Sequence, residues 1–176
     1  MSYKSDVQAT QSSAATVATT LNGAISATDT TITLTSATGF NSGGGIILIG
    51  GEVIEYSAVS SNDLTGCTRG FNGTTAASHV DTTAVTYLTP IATPALRLKA
   101  ISIASDGGGA GVLILVSGDG VTYLNLDIPS GEILTTHIPE DGIVFPKGIY
   151  TLTSTNLSGY TLYTDLYNAP RLTSQN

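Results

Sequence analysis

Short alternations of apolar and polar residues run through most of the chain. Ile32 and Leu34 alternate with threonines, which is the period-two pattern of a strand with one buried face. Residues 45–59, GIILIGGEVIEYSAV, predict two strands joined by a turn at Gly50 and Gly51. The same pattern predicts further short strands at 63–70 and 84–88.

The second half of the chain repeats this pattern. Residues 97–105 alternate, and residues 111–128 predict two strands around the turn formed by residues 117–120. Residues 148–154 and 160–167 predict two final strands. No window shows helical periodicity with caps, and turn residues recur every 8–12 residues or so, which is typical of sandwiches and small barrels. The sequence therefore predicts an all-β protein.

Two prolines, Pro90 and Pro94, predict a boundary between two modules. The first twenty residues are small, polar and aperiodic, so we expect an extended arm that is ordered only where something holds it. This favours contact with a partner. The predicted organisation is two small antiparallel β-sandwich or barrel-like modules between an arm and a tail, with bounds 1–20, 21–92, 95–168 and 169–176.

Composition narrows the possible functions. Charged residues make up only 11% of the chain against roughly 25% in an average protein, and the net charge is −7. No basic cluster exists, so the sequence argues against binding to nucleic acid or to an anionic membrane. No signal peptide or span of about 20 apolar residues is evident, so we expect cytoplasmic synthesis. Low charge and small modules favour association with other subunits.

Residues 67–79, CTRGFNGTTAASH, form the segment richest in potential chemistry. Cys67 and His79 are a candidate nucleophile and base, with Asp81 as a candidate orienting group. The segment has no helix to lower the thiol pKa, and one cysteine supplies neither a disulfide nor a zinc site. The better interpretation is a buried cysteine in a strand and a histidine on a loop.

The rest of this segment reads as a structural loop. Asn72 and Gly73 suit a turn with positive φ, and Gly70 frees the backbone beside Arg69. Our hypothesis is that the Arg69 guanidinium pins the loop to the preceding hairpin through its carboxylates; a solvated arginine is the alternative. The residues assigned to this loop and hairpin are Arg69, Gly70, Asn72, Gly73, Glu52 and Glu55.

Carboxylates and glycine runs elsewhere predict turns rather than sites. Glu52 and Glu55 differ by three positions, so on a strand they face opposite ways. Glu140 and Asp141 precede a glycine as in a turn, and the remaining aspartates match no calcium-loop spacing, although calcium stays an alternative. The glycine runs at 43–45 and 107–109 lack the lysine and helix of a phosphate loop. We therefore predict no catalytic residue, no metal and no cofactor.

Tyr163 and Tyr167 alternate with Leu162 and Leu166 in the last predicted strand. If the leucines face the core, the two tyrosine rings face outward, where they suit a neighbouring subunit or a sugar. A shielded edge within the same module is the equally weighted alternative.

Two stretches resemble modules of tailed-bacteriophage virion proteins, including those of cyanobacterial and marine phages. The first is carried by Gly39-Phe40, Ile49-Gly50, Glu52, Ile54-Glu55-Tyr56, Thr68-Arg69-Gly70, Gly73-Thr74, Ala77, His79 and Val85. The second is shorter and is carried by Ile138-Pro139, Asp141-Gly142-Ile143, Phe145 and Gly148-Ile149-Tyr150.

The resemblance implies a non-enzymatic structural protein located in the virion, and it transfers no active-site residue. The absence of coiled coils or long repeats argues against a complete tail fibre, so we expect a capsid decoration or cement protein. The implied partners are the major capsid protein or other virion proteins, with self-association into a homo-oligomer such as a trimer. A neck, tail or baseplate component and a receptor- or glycan-binding adhesin are the alternatives.

Overall fold

The computed structural model describes residues 8–12, 16–93, 95–139 and 141–166. Within these ranges the protein is all-β, as predicted, and its one helical segment is a three-residue 3₁₀ turn at Phe71–Gly73. This part of the chain thus contains no helix of the length and apolarity needed to cross a membrane. The strands are β1 Gln8–Ser12, β2 Ala18–Thr20, β3 Thr31–Thr33, β4 Gly45–Ile49, β5 Glu52–Tyr56, β6 Ala58–Ser60, β7 Asp63–Thr65, β8 Ala84–Tyr87, β9 Thr89–Ala92, β10 Leu96–Ser105, β11 Gly111–Ser117, β12 Thr122–Ile128, β13 Ile133–His137, β14 Ile143–Phe145, β15 Ile149–Thr155 and β16 Leu157–Leu166.

The first sandwich consists of two antiparallel sheets, with strand orders β2-β8-β4-β5 and β3-β7-β6. The predicted hairpin is confirmed: β4 and β5 pair from Gly45 opposite Tyr56 to Ile49 opposite Glu52. Side chains from both sheets meet in one apolar core. Its fully buried members include Leu21, Ile32, Leu34, Ile47, Ile49, Ile54, Leu64 and Val85.

The second sandwich also has two antiparallel sheets, β12-β11-β15-β9 and β1-β16-β10-β13, with β14 continuing beside β10. The predicted hairpin of β11 and β12 is confirmed, and Leu113 faces Leu126 across it. The core between the two sheets includes Leu98, Ile101, Ile103, Leu113, Leu115, Phe145, Ile149 and Leu162.

A third apolar cluster joins the two sandwiches. Strands β4, β5 and β11 carry apolar residues on both faces: Ile47 lies in the first core, whereas Ile46 and Val53 pack with Val116 and Tyr150. This double burial explains the uninterrupted run GIILI, because a strand covered on both sides has no polar face. The four sheets therefore stack as four layers, with this cluster between the middle two.

Two features differ from the predicted organisation. The predicted arm is partly built into the fold, because β2 extends the first sandwich through β8 and β1 extends the second through β16. The predicted boundary lies one strand too late, since β9 pairs with β15. All three strands are too short for a clear alternation, β1 and β2 are mostly polar, and β9 contains a proline although its Ile91 and Ala92 pack on the second core.

Candidate functional site

The loop formed by residues 67–79 leaves the first sandwich beside β5 and returns to it at His79. Thr68 bridges Glu55 through two backbone hydrogen bonds, and His79 bridges Ile25 in the same way. Gly70 and Asn72 adopt left-handed backbone conformations with φ of 60° and 57°. These conformations fit the glycine and the asparagine of the predicted turn, because both residue types tolerate positive φ.

The Glu52 carboxylate lies under this loop, and its side chain is 1% exposed. Arg69 forms a bidentate ion pair with this carboxylate, with Nε 2.9 Å from Oε1 and Nη2 2.8 Å from Oε2. The backbone amides of Gly70 and Ala77 donate to the same carboxylate at 3.0 and 3.2 Å. His79 Nε2 lies 2.8 Å from Oε2, and since an ionised carboxylate only accepts, this nitrogen carries the proton. We call these five residues the Glu52 network.

The remaining donors of Arg69 tie the loop to a second segment. Nη2 also donates to the carbonyl of Ala77 at 2.7 Å, and Nη1 donates to the carbonyl of Ser26. Arg69 thus lies against Glu52, one of the two carboxylates proposed for it. The other, Glu55, is not among its partners, since Glu55 faces the opposite side of β5.

The electrostatics of Glu52 follow from these contacts. Burial by itself raises the pKa of a carboxyl group, but hydrogen bonds from Arg69, His79, Gly70 and Ala77 outweigh it and lower the pKa of Glu52 to about 2. The network is therefore a buried, fully hydrogen-bonded ion pair at neutral pH. Breaking such a pair is strongly destabilising, because the partner left behind is a buried and uncompensated charge.

Cys67 and His79 have different partners. Cys67 is buried, its thiol lies 3.4 Å from the carbonyl of Leu64, and burial raises the pKa of that thiol to about 11. The Nε2 atom of His79 is engaged by Glu52. Asp81, the candidate orienting group, instead accepts from the amides of Gly23 and Thr82 at 2.7 and 2.8 Å. The thiol is protonated at neutral pH, which is the state that disfavours nucleophilic attack.

The far end of the loop contacts the second sandwich. Asn72 Nδ2 donates to the carbonyl of Gly118 at 2.6 Å, Lys147 Nζ donates to the carbonyl of Asn72, and Phe71 packs on the cluster between the sandwiches. Sequence reasoning identified Asn72 as a turn residue but missed Gly118 and Lys147 as its partners. No local sequence pattern indicates these contacts, because the partners are separated by 46 positions in one case and by 75 in the other.

The other candidate residues do not converge on a site. Asp141 is mostly exposed and lies 3.7 Å from Arg97, whereas Glu140 falls outside the described residues. Tyr163 is half-buried on β16, and Tyr167 falls outside the described residues. Asp106 and Asp119 each accept an amide hydrogen two residues ahead in their own turns. In the ranges that the structure describes, no three His, Cys, Asp or Glu side chains cluster as metal ligands.

Comparisons with family models, with curated proteins and with solved structures find no match to this chain. The chemistry of the site is therefore read from its geometry. A buried ion pair that also bonds to the backbone orders a loop, and this loop carries Asn72 and Phe71 to the second sandwich.

Proposed function

We propose that this chain is a non-enzymatic structural protein of a tailed-phage virion, and that it decorates and stabilises the assembled capsid. One observation carries the proposal. The polar residues of the motif that resembles virion proteins, among them Glu52, Arg69 and His79, bind one another and are at most 10% exposed. A motif whose polar groups are used to build a loop is what a structural module needs, whereas a catalytic motif leaves reactive groups accessible.

The architecture supports the same proposal. The loop ordered by the Glu52 network reaches Gly118 and Lys147, so the two sandwiches are joined by polar contacts as well as by the apolar cluster. A subunit that reinforces a shell has to transmit force between its contact surfaces, and a buried interface between its halves allows this. The low charge content adds little repulsion between neighbouring subunits.

The test is reconstitution on capsids. The purified chain is added to phage shells that lack their decoration protein, and bound protein is measured by sedimentation as the chain is titrated. We expect saturable binding at a fixed ratio to the capsid subunit and a higher temperature of shell disruption. An Arg69→Ala variant tests the role of the loop, and a Glu132→Ala variant, at an exposed position of the second sandwich, serves as the control.

Two results contradict the proposal. One is the absence of saturable binding to any virion part. The other is found when intact virions are labelled with an antibody to this chain and the label lies on the neck or tail and not on the capsid. That result would replace the decoration role by a neck or tail role.

A further inference from the structure

The first described strand does not belong to the sandwich that follows it in the chain. Strand β1 lies antiparallel to β16 in the second sandwich, from Gln8 opposite Thr164 to Ser12 opposite Tyr160. The chain then enters the first sandwich at β2. Strand β1 therefore forms an edge of the second sandwich, although the whole first sandwich separates the two in the sequence.

Backbone hydrogen bonds hold β1 in place. Its sequence is QATQS, and of its two described side chains that of Ala9 is exposed and that of Thr10 is half-buried. Thr10 lies opposite Leu162, which is fully buried, and the other edge of β16 is occupied by β10. Strand β1 thus occupies a sheet edge, where backbone pairing accepts a strand with little demand on its side chains.

The chain after β1 is anchored separately. The Thr16 hydroxyl accepts a hydrogen bond from the amide of Ser154 at 2.8 Å, and Val17 packs against the core of the first sandwich. Strand β1 also contacts β9 of the facing sheet, so its removal gives up that contact and its pairing with β16 while the anchor at Thr16 stays in place. Only the residues before Thr16 need a new path.

We propose that the β16 edge is an exchange site, at which β1 of one copy docks on β16 of a second copy. The exchanged strand makes the same backbone contacts as the strand from the same chain, so exchange costs no interaction. The balance is set by effective concentration, which is on the order of millimolar for a strand on a short connection. Copies crowded together in an assembly exceed this value and become linked.

The test uses two single-cysteine variants, Ala9→Cys and Tyr163→Cys, whose positions are register partners across β1 and β16. The two purified proteins are unfolded, mixed, refolded together and treated with a short thiol-reactive crosslinker. A crosslinked dimer that contains one Ala9→Cys chain and one Tyr163→Cys chain arises only from contact between two copies. We expect its fraction to rise as protein is increased from about 10 µM to about 1 mM.

The matched control pairs Ala9→Cys with Val80→Cys, since Val80 is 74% exposed in the first sandwich and is remote from β16 in the pairing pattern. Native Cys67 is buried and stays unreactive. A second register pair, Gln11→Cys with Thr161→Cys, guards against a variant that fails to fold. Mixed pairs from either register, above the control, support exchange.

The proposal is overturned if a single chain carrying both Ala9→Cys and Tyr163→Cys crosslinks within itself while the mixed variants give no more product than the control at about 1 mM. Because the measurement uses purified protein without capsids, its outcome is independent of the virion proposal.

Discussion

At the scale of single residues, Glu52 is the point on which the polar contacts of the first sandwich converge. Its carboxylate is buried and takes hydrogen bonds from two side chains and two backbone amides. Glu55 lies only three positions away on the same strand, but it is partly exposed on the other face. Two chemically identical side chains therefore make very different contributions to stability.

A Glu52→Gln substitution should lower the free energy of unfolding by about 3–5 kcal/mol, because it leaves Arg69 buried without a charged partner. The measurement is urea denaturation followed by circular dichroism. Glu55→Gln is the matched control, and we expect it to change stability by less than about 0.5 kcal/mol. Equal effects of the two substitutions would show that the buried pair is not a special source of stability.

The same residue gives stability a pH dependence. The pKa of Glu52 falls from 4.5 to about 2 on folding, so its contribution is fully present above pH 4.5 and is lost as pH falls from 4.5 toward 2. The loss is on the order of 3 kcal/mol for complete protonation. Denaturation midpoints between pH 7 and pH 3 should fall less steeply for Glu52→Gln than for the parent. Parallel curves for the two proteins would contradict the assignment.

At the scale of elements, the loop after β7 and the turn between β11 and β12 form a joint between the two sandwiches. Gly118 lies in that turn, and a Cβ atom there would stand 2.7 Å from the carbonyl oxygen of Lys147 and 2.9 Å from Asn72 Nδ2. The turn thus needs glycine for a close approach to Lys147 in its own sandwich and to Asn72 in the loop, in addition to its role in the hairpin.

A Gly118→Ala substitution should cost about 1–3 kcal/mol, because the added methyl group overlaps the Lys147 carbonyl and displaces Asn72 of the loop. In a thermal melt this amounts to a decrease of at least about 2 °C in the unfolding temperature. Gly51→Ala is the control, because a Cβ atom at Gly51 meets nothing within 4 Å. Its melting temperature should equal or slightly exceed that of the parent. A Gly118→Ala protein that melts like this control would show that the joint tolerates separation.

At the scale of the whole molecule, the apolar cluster between the middle sheets packs the two sandwiches against each other. Val53, Leu88 and Val116 in this cluster are fully buried, although none lies in either sandwich core. Burying apolar area between two small sandwiches gives each one stability that a module of that size often lacks.

A Val116→Asp substitution should uncouple the two sandwiches, because it places an unpaired charge in this cluster. Differential scanning calorimetry should show one transition for the parent and two for the variant. Val121→Asp, at a position that is 50% exposed, should retain a single transition. A single unshifted transition in Val116→Asp would mean that the cluster does not couple the sandwiches.

The sequence by itself determined the fold class, both long hairpins and the turn character of residues 67–79, because strand alternation and positive-φ turns are local properties. Only the tertiary structure assigned β1 and β9 to the second sandwich, since β1 is polar and the four residues of β9 are too few to show which core they pack on. It also selected Glu52 over Glu55 and brought Asn72 to Gly118. Those choices depend on which face of β5 the loop covers and on how the sandwiches stack, and both are set by contacts between residues far apart in the chain.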